Sequence, residues 1–161
     1  VDVAGDRRGL LDAVPLVCAT AEQASATEVL GGVHRALAIA AARGMGENLK
    51  RLNESLAPDL SEPLRIGIGI HGGPAIVGEL GYPATRGLTA VGDTVNTASR
   101  LEALTKEHGV QLILSEAVIA AAGIELKDGE SAEISARGRE ERVHVRLIGN
   151  AAELPDPHRP A

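Results

Sequence analysis

One stretch of the chain, in which isoleucine alternates with glycine, decides the fold: Leu64-Arg65-Ile66-Gly67-Ile68-Gly69-Ile70-His71-Gly72-Gly73. Alternation with a period of two is typical of a β-strand, and we predict a buried strand over Leu64–Ile70. Its glycines leave room for another element to pack closely against it. A turn at Gly72–Pro74 and the apolar run Ala75–Val77 predict a β-hairpin with the next strand.

This stretch also satisfies the G-x-G-x-x-G pattern of dinucleotide-binding folds, from Gly67 to Gly72. That pattern binds a pyrophosphate only where its glycines lie between a strand and the first turn of a helix. Here the first two glycines lie within the strand, and Gly73-Pro74 follows where a helix would have to begin. We therefore exclude a dinucleotide site, and we expect His71, at the strand end, to be structural.

Helices and strands alternate on both sides of this strand. A long helix, or two, is predicted over Val33–Leu56, and another runs from a cap at Asp93 or Thr94 to His108, before Gly109. Ser115 is expected to cap a short helix that ends near Gly123, and the remaining predicted strands are Leu88–Val91, Val110–Leu114, Ile124–Lys127, Ile134–Ala136 and Arg142–Ile148. Because helices and strands interleave while several strands pair locally, we predict an α/β fold with a mixed sheet.

Composition excludes several classes of function. The 161 residues suit one domain, and a net charge of −6 excludes a general nucleic-acid or membrane-surface binder, which needs a dense cationic surface. Tyr82 is the only aromatic residue, which excludes recognition by base stacking. The lone Cys18 and the lack of any apolar run of about 20 residues indicate a cytoplasmic protein without a membrane span.

The most informative polar pair lies in the segment Gly92-Asp93-Thr94-Val95-Asn96-Thr97-Ala98-Ser99-Arg100-Leu101-Glu102. Asn96 and Arg100 are four residues apart, so they project from one face of the predicted helix. A carboxamide beside a guanidinium suits a sugar hydroxyl and a phosphoryl oxygen. On spacing alone, however, two solvated side chains on an exposed helix face remain the simpler interpretation.

Five segments together resemble the class III adenylate/guanylate cyclase catalytic domain: Leu64–Gly73, Gly78 with Gly81, Leu88–Glu102, Gly109–Glu116, and Arg137–Glu141 with Val143–Leu147. The resemblance implies a ferredoxin-like nucleotidyl cyclase fold, an α+β sandwich with a mixed, mostly antiparallel sheet and helices packed on it. We expect a cyclase homology domain over residues 1–150, with residues 1–32 divergent and the fold incomplete at its N-terminal end. Residues 151–161 are expected to form a disordered tail.

The resemblance also implies an activity and its residues. Asn96 would orient the ribose, Arg100 would stabilise the α-phosphate in the transition state, and Thr89 would read the purine in a way that goes with adenine. The implied reaction is adenylate cyclase chemistry, which converts ATP to 3′,5′-cyclic AMP and releases pyrophosphate. The segment Gly78–Gly87 resembles the arm that reaches across a head-to-tail dimer, so we expect a homodimer or a heterodimer with a shared active site.

Members of this family hold two divalent ions, Mg²⁺ or Mn²⁺, with two aspartates. The first of these motifs is missing here, and Asp12, with an apolar run after it, is a better candidate for the second than Asp6. In that register Arg8 falls near the position of the family's purine-reading lysine. Since one carboxylate could hardly hold two dications, we expect this chain to supply the transition-state-stabilising half of a site, beside a metal-competent cyclase chain. The alternative is a catalytically inactive cyclase-like domain that dimerises or binds nucleotide as a regulator.

Overall fold

The computed structural model describes residues 12–21, 28–80, 87–126, 129–135 and 142–156, with backbone alone for residues 12–21, 28–33, 77–80 and 87–89. In chain order the elements are β1 (Asp12–Ala21), α1 (Glu28–Leu56), β2 (Arg65–Gly73), β3 (Ile76–Leu80), β4 (Gly87–Val91), α2 (Asp93–His108), β5 (Leu112–Ser115), α3 (Glu116–Ala122), β6 (Glu130–Ser135), β7 (Arg142–Ile148) and a 3₁₀ turn (Ala151–Glu153). No helix within these described ranges is both long and apolar enough to cross a membrane.

Five strands form one mixed sheet in the order β1-β2-β5-β7-β6. Strands β1, β2 and β5 run parallel to one another, whereas β7 is antiparallel to both β5 and β6. Strands β3 and β4 form a separate antiparallel pair, with Ile76 opposite Val91. The predicted α/β class with a mixed sheet is confirmed.

Helices cover both faces of the main sheet. On one face, Ile68 and Ile70 of β2 pack with Leu114 of β5 against α1 and α3, where Ile39 and Val118 are fully buried. The second core lies on the α2 face and consists of Leu101, Ile113, Ile134, Val145 and Leu147. Full burial of one such side chain stabilises the fold by about 1.5–3 kcal/mol relative to exposure.

The glycines of β2 bring α2 into backbone contact with the sheet. A Cβ atom at Gly69 would collide with the carbonyl oxygen of Ala98 and the amide nitrogen of Glu102. A Cβ at Gly67 would collide with the Thr105 hydroxyl. The isoleucines of β2 therefore build one core, while the missing side chains on the opposite face let the helix approach.

The predicted hairpin between Leu64–Ile70 and Ala75–Val77 is wrong. Strand β2 pairs with β1 and β5 instead, and β3 leaves the sheet to pair with β4. Parallel strands are connected by helical crossovers, so the strands that pair with β2 are distant from it in sequence. The segment that directly follows β2 therefore does not identify them.

The predicted strand at Ile124–Lys127 is also not formed: Ile124 to Leu126 have no strand structure, and Lys127 lies outside the described residues. Ile124 and Leu126 nevertheless pack against the first core. Their apolar alternation therefore reflects burial of a connecting segment. The amide of Ile124 donates to the carbonyl of Ile119 at 3.3 Å, which ends α3 instead of starting a ladder.

The C-terminal packing extends beyond residue 150, where we expected a disordered tail to begin. Ala151 and Leu154 are buried, and the side chain of Asn150 accepts a hydrogen bond from the amide of Ala152 at 3.1 Å. A Cβ atom at Gly46 of α1 would lie 2.5 Å from the amide nitrogen of Ala152. The 3₁₀ turn is thus part of the core, and residues 157–161 of the predicted tail lie outside the described residues.

Gly69→Ala is expected to lower the free energy of unfolding by about 1–3 kcal/mol, because α2 backbone must move to admit a methyl group. Gly44→Ala is the matched control: nothing lies within 4 Å of the added Cβ on α1. Alanine exceeds glycine in helix propensity, so this control should gain up to about 1 kcal/mol. Urea denaturation measures both, and unchanged stability of Gly69→Ala would contradict the close contact of α2 with β2.

Candidate active site

A glycine turn joins β4 to the start of α2. Gly92 is the N-cap of the helix, and its carbonyl accepts hydrogen bonds from the amides of Val95 and Asn96, both at 3.1 Å. The φ angle of Gly92 is 141°, a conformation that other residues rarely adopt. The predicted cap at Asp93 or Thr94 is therefore wrong, because the helix already begins at Asp93 and the residue before it, Gly92, is the cap.

Thr94 anchors the start of α2 to the end of β2. Its hydroxyl donates to the carbonyl oxygen of Pro74 at 2.6 Å, and the residue is buried. The same hydroxyl lies 2.8 Å from the position of a Cβ on Gly73, so this end of β2 also has little room for a side chain. Sequence reasoning missed this anchor because it treated Thr94 as a possible helix cap.

Asn96 and Arg100 lie one turn apart on α2, as predicted. Thr94, Ala98, Leu101 and Thr105 form the buried side of the helix, whereas Asn96 is exposed and Arg100 is half-buried. Among the described residues, one guanidinium nitrogen of Arg100, Nη1, is buried without a hydrogen-bond partner. A buried donor without an acceptor costs free energy, so an acceptor brought against this nitrogen would remove that cost.

The pair offers complementary chemistry near the start of a helix. A guanidinium is permanently charged and donates in a planar fork that matches phosphoryl oxygens. A carboxamide both donates and accepts, which suits a hydroxyl group. The arrangement can therefore hold a sugar hydroxyl and stabilise negative charge that develops on a nearby phosphoryl group.

The other two predicted site residues lie at different distances from this pair. Thr89 is in β4, opposite Gly78, and the chain enters α2 only two residues after that strand ends. Asp12 begins β1, where its backbone is in register with Arg65 of β2. Ala98 and Glu102, which lie on either side of Arg100 in α2, pack over Gly69, four residues further along β2. At about 3.3 Å per residue, this places Arg100 roughly 13 Å along the sheet from the Asp12 backbone.

The side chains that the structure describes do not by themselves form a metal site. Among them, no three His, Cys, Asp or Glu residues are grouped so that they could hold a metal ion. The side chain of Asp12 is outside this description, and Asp6 and Arg8 lie outside the described residues altogether. The assignment of Asp12 to a metal stays a prediction, and no chemical step of this chain is derived through a metal.

His71 is the one position on the α2-facing side of β2, between Gly69 and Gly73, that carries a side chain. Within the described part of the chain, its Nδ1 atom is buried without a hydrogen-bond partner. Burial lowers the pKa of His71 below its ordinary value of 6.5, because the charged imidazolium loses hydration. The ring is therefore neutral at pH 7, and a structural role for His71 stays a prediction.

The chain belongs to the adenylate and guanylate cyclase catalytic domain family, whose model matches residues 22–148. Among curated relatives, adenylate cyclase 1 of Rhizobium meliloti is 38% identical over 87 residues, which cover 54% of this chain and 13% of that protein. Retinal guanylyl cyclase 1 of Homo sapiens is 40% identical over 91 residues, covering 56% of this chain and 7% of that protein. The chain thus spans a small part of these relatives.

Solved structures support the same fold. The guanylyl cyclase Cya2 matches with a TM-score of 0.65 and 20% identity, covering 86% of this chain and 66% of that one. A bacterial light-regulated adenylyl cyclase matches with a TM-score of 0.53 and 24% identity, over 76% of this chain and 36% of that one. The resemblance to class III cyclases is therefore confirmed, and the relatives include both adenylate and guanylate cyclases.

The lowered pKa of His71 predicts a pH-dependent stability. Above pH 6.5 the ring is neutral in both states, but as the pH falls below that value the unfolded chain takes up the proton more readily than the folded one. The free energy of unfolding should therefore decrease with falling pH, and less steeply in His71→Asn, which cannot titrate. Urea denaturation from about pH 8 to pH 5 measures the two slopes, and equal slopes would rule out a neutral, buried His71.

Proposed function

We propose that this cyclase domain converts ATP to 3′,5′-cyclic AMP and pyrophosphate, and that it contributes Asn96, Arg100 and Thr89 to an active site shared with a second protomer. The observation that carries the proposal is the pair on α2: an exposed carboxamide, and one turn away a guanidinium whose buried Nη1 has no partner among the residues that the structure describes. A bound triphosphate would supply the missing acceptor.

The reaction is an in-line displacement at the α-phosphorus. The ribose 3′-oxygen forms a bond to that phosphorus, the bond from the phosphorus to the bridging oxygen breaks, and pyrophosphate leaves while the 3′-hydroxyl proton passes to solvent. Asn96 would hold the ribose so that the 3′-oxygen faces the phosphorus. Arg100 would donate to the phosphoryl oxygens, on which negative charge accumulates in the transition state.

A shared site is supported by the separation between Asp12 and Arg100 along the direction of β2. The backbone of Asp12 is beside Arg65, whereas Arg100 is at the level of Gly69, about 13 Å further along β2. A carboxylate that holds a metal and a guanidinium that stabilises the same phosphate must both lie within a few ångströms of it. A head-to-tail dimer would meet this requirement by bringing unlike ends of two protomers together. The exposed side chains of Ile76 and Val91, paired at the base of the β3–β4 hairpin, offer an apolar surface to such a partner.

Mg²⁺ or Mn²⁺ would be held chiefly by the second protomer, since the described side chains of this chain do not form a metal site. Such ions would supply positive charge near the attacking and leaving oxygens. The preferred partner is therefore a metal-competent cyclase chain in a heterodimer. Adenine is the proposed base because a threonine at the position of Thr89 goes with adenine in the family that this chain resembles; its hydroxyl can both donate to and accept from a purine.

We expect cyclic AMP from a mixture and little from either component alone. The mixture contains this chain and a metal-competent class III cyclase in which the equivalents of Asn96 and Arg100 are replaced by alanine, with ATP and Mn²⁺. Product is measured by chromatography, and GTP in place of ATP should give less product. An inactive mixture in which the two chains still associate would contradict the proposal and favour a regulatory, catalytically silent domain.

Arg100→Ala should lower the activity of the mixture by at least about a hundredfold, because the transition state loses a preorganised donor. Arg100→Lys keeps the charge but loses the planar fork, so it should retain an intermediate activity. Ser99→Ala is the matched control on the same helix, since Ser99 is exposed and projects about 100° around α2 from Arg100. Equal activity of Arg100→Ala and Ser99→Ala would remove Arg100 from the mechanism.

A further inference from the structure

A cleft lies at the end of the sheet opposite the start of α2. It has a volume of about 750 Å³ and is bounded by α1, the start of β2, the last turn of α2 and the segment that leads into β5. We call it the basal cleft. Its volume is within the range of about 300–1,000 Å³ that small-molecule sites occupy. Ten residues separate Lys106 in this cleft from Asn96, or about 15 Å along the helix.

Three cationic side chains from three different elements line the basal cleft: Lys50 of α1, Arg65 of β2 and Lys106 of α2. All three are exposed, and within the described residues none of them forms an ion pair or a hydrogen bond. The described Lys and Arg residues elsewhere, apart from Arg100, all have a partner: Arg35, Arg43, Arg51, Arg142 and Arg146. Unpaired cations are thus concentrated in this cleft, in a chain whose net charge is −6.

The carboxylates of the basal cleft do not neutralise it. Glu54 and Glu62 also line it, but neither forms an ion pair within the described residues. Glu54 lies four residues after Lys50 on α1, where a pair could form. The lining therefore keeps a net positive charge, and an anion can be held without first breaking an ion pair.

Two carboxamides fix the walls of the basal cleft. Asn53 donates to the carbonyl of Leu64 at 2.9 Å and accepts from the amide of the same residue at 2.8 Å, which ties the segment before β2 to α1. Gln111 accepts from the amide of Ala151 at 2.7 Å. Fixed walls reduce the entropy lost on binding, so a ligand of matching shape gains affinity.

The basal cleft also has an apolar floor. Leu49, Leu64, Ile66 and Val110 line it together with the charged groups. A purely inorganic anion would leave this surface in water, whereas an anion with an apolar body would cover it. The lining is therefore chemically suited to a phosphate ester with a compact apolar portion.

We propose that the basal cleft binds a small organic phosphate, with Lys50, Arg65 and Lys106 holding the phosphoryl oxygens and the apolar floor holding the organic part. This site is separate from the Asn96–Arg100 pair and does not depend on the proposed cyclase activity. Its ligand would touch both α1 and the last turn of α2, and so it would stabilise the helix that carries that pair.

The test is binding of phenyl phosphate to the isolated chain, followed by the NMR shifts of backbone amides. We expect saturable shifts at Gly109 and Gly149 in the cleft, and none at Gly123, which ends α3. Inorganic phosphate lacks the apolar portion and phenol lacks the charge, so both should bind more weakly. The absence of saturable shifts in the millimolar range, or equal binding of phenol, would overturn the proposal.

Lys50→Gln combined with Lys106→Gln should weaken phenyl phosphate binding by about tenfold or more. Arg51→Gln is the matched control, because Arg51 is next to Lys50 on α1 but bonds to Asn48 outside the cleft. Unchanged affinity in the double variant would overturn the proposal, provided that its amide spectrum shows a folded chain.

A second arm separates the basal cleft from the candidate active site. Asn96→Ala combined with Arg100→Ala should leave phenyl phosphate binding unchanged. Weaker binding of phenyl phosphate by this variant would make the cleft part of the nucleotide site and would refute a separate site. Phenyl phosphate binding is measured without catalytic turnover, so its outcome does not depend on the result of the cyclase assay.

Discussion

The structure depends on a contact between two backbones, that of β2 and that of α2. Gly69 of the strand lies directly under Ala98 and Glu102 of the helix, without room for a methyl group. Side chains usually separate a helix from a sheet and can adjust to small displacements, but here that adjustment is absent. The position of α2 is therefore set by β2, and this also fixes where Asn96 and Arg100 lie.

The face of the sheet opposite α2 carries an ordinary apolar core. Ile68 and Ile70 project away from α2 and pack with Ile39 of α1. Alternate residues of β2 thus have two roles. The isoleucines stabilise the fold by hydrophobic burial, and the glycines allow α2 to pack closely against the strand. His71 interrupts the glycine face only near the strand end, where Thr94 already holds the first turn of the helix to Pro74.

The sequence predicted those parts of the fold that rest on local pattern. The strand around Ile68, the helix from Asp93 to His108 and the final strand Arg142–Ile148 could all be identified, because each carries its own periodicity. Strand pairing could not be predicted: the sequence pattern pairs β2 with the strand that follows it, whereas β2 pairs with β1 and β5, which are distant along the chain. The choice among partners is made by long-range packing, which no short window of sequence contains.

The candidate site shows the same division between local and non-local information. The spacing of Asn96 and Arg100 was predictable from helix geometry, and so was the general position of Thr89 before the helix. The burial of the Arg100 Nη1 atom and the hydrogen bond from Thr94 to Pro74 depend on segments distant in sequence. Neither feature could be predicted from the sequence, because the residue types alone do not reveal these contacts.

The 3₁₀ turn at Ala151–Glu153 packs the C-terminal segment firmly against α1. It is held by the Asn150 cap, and it sits against Gly46 with backbone almost touching backbone. A side chain larger than glycine at position 46 would push this turn away from α1 and would uncover Ala151 and Leu154, which are buried.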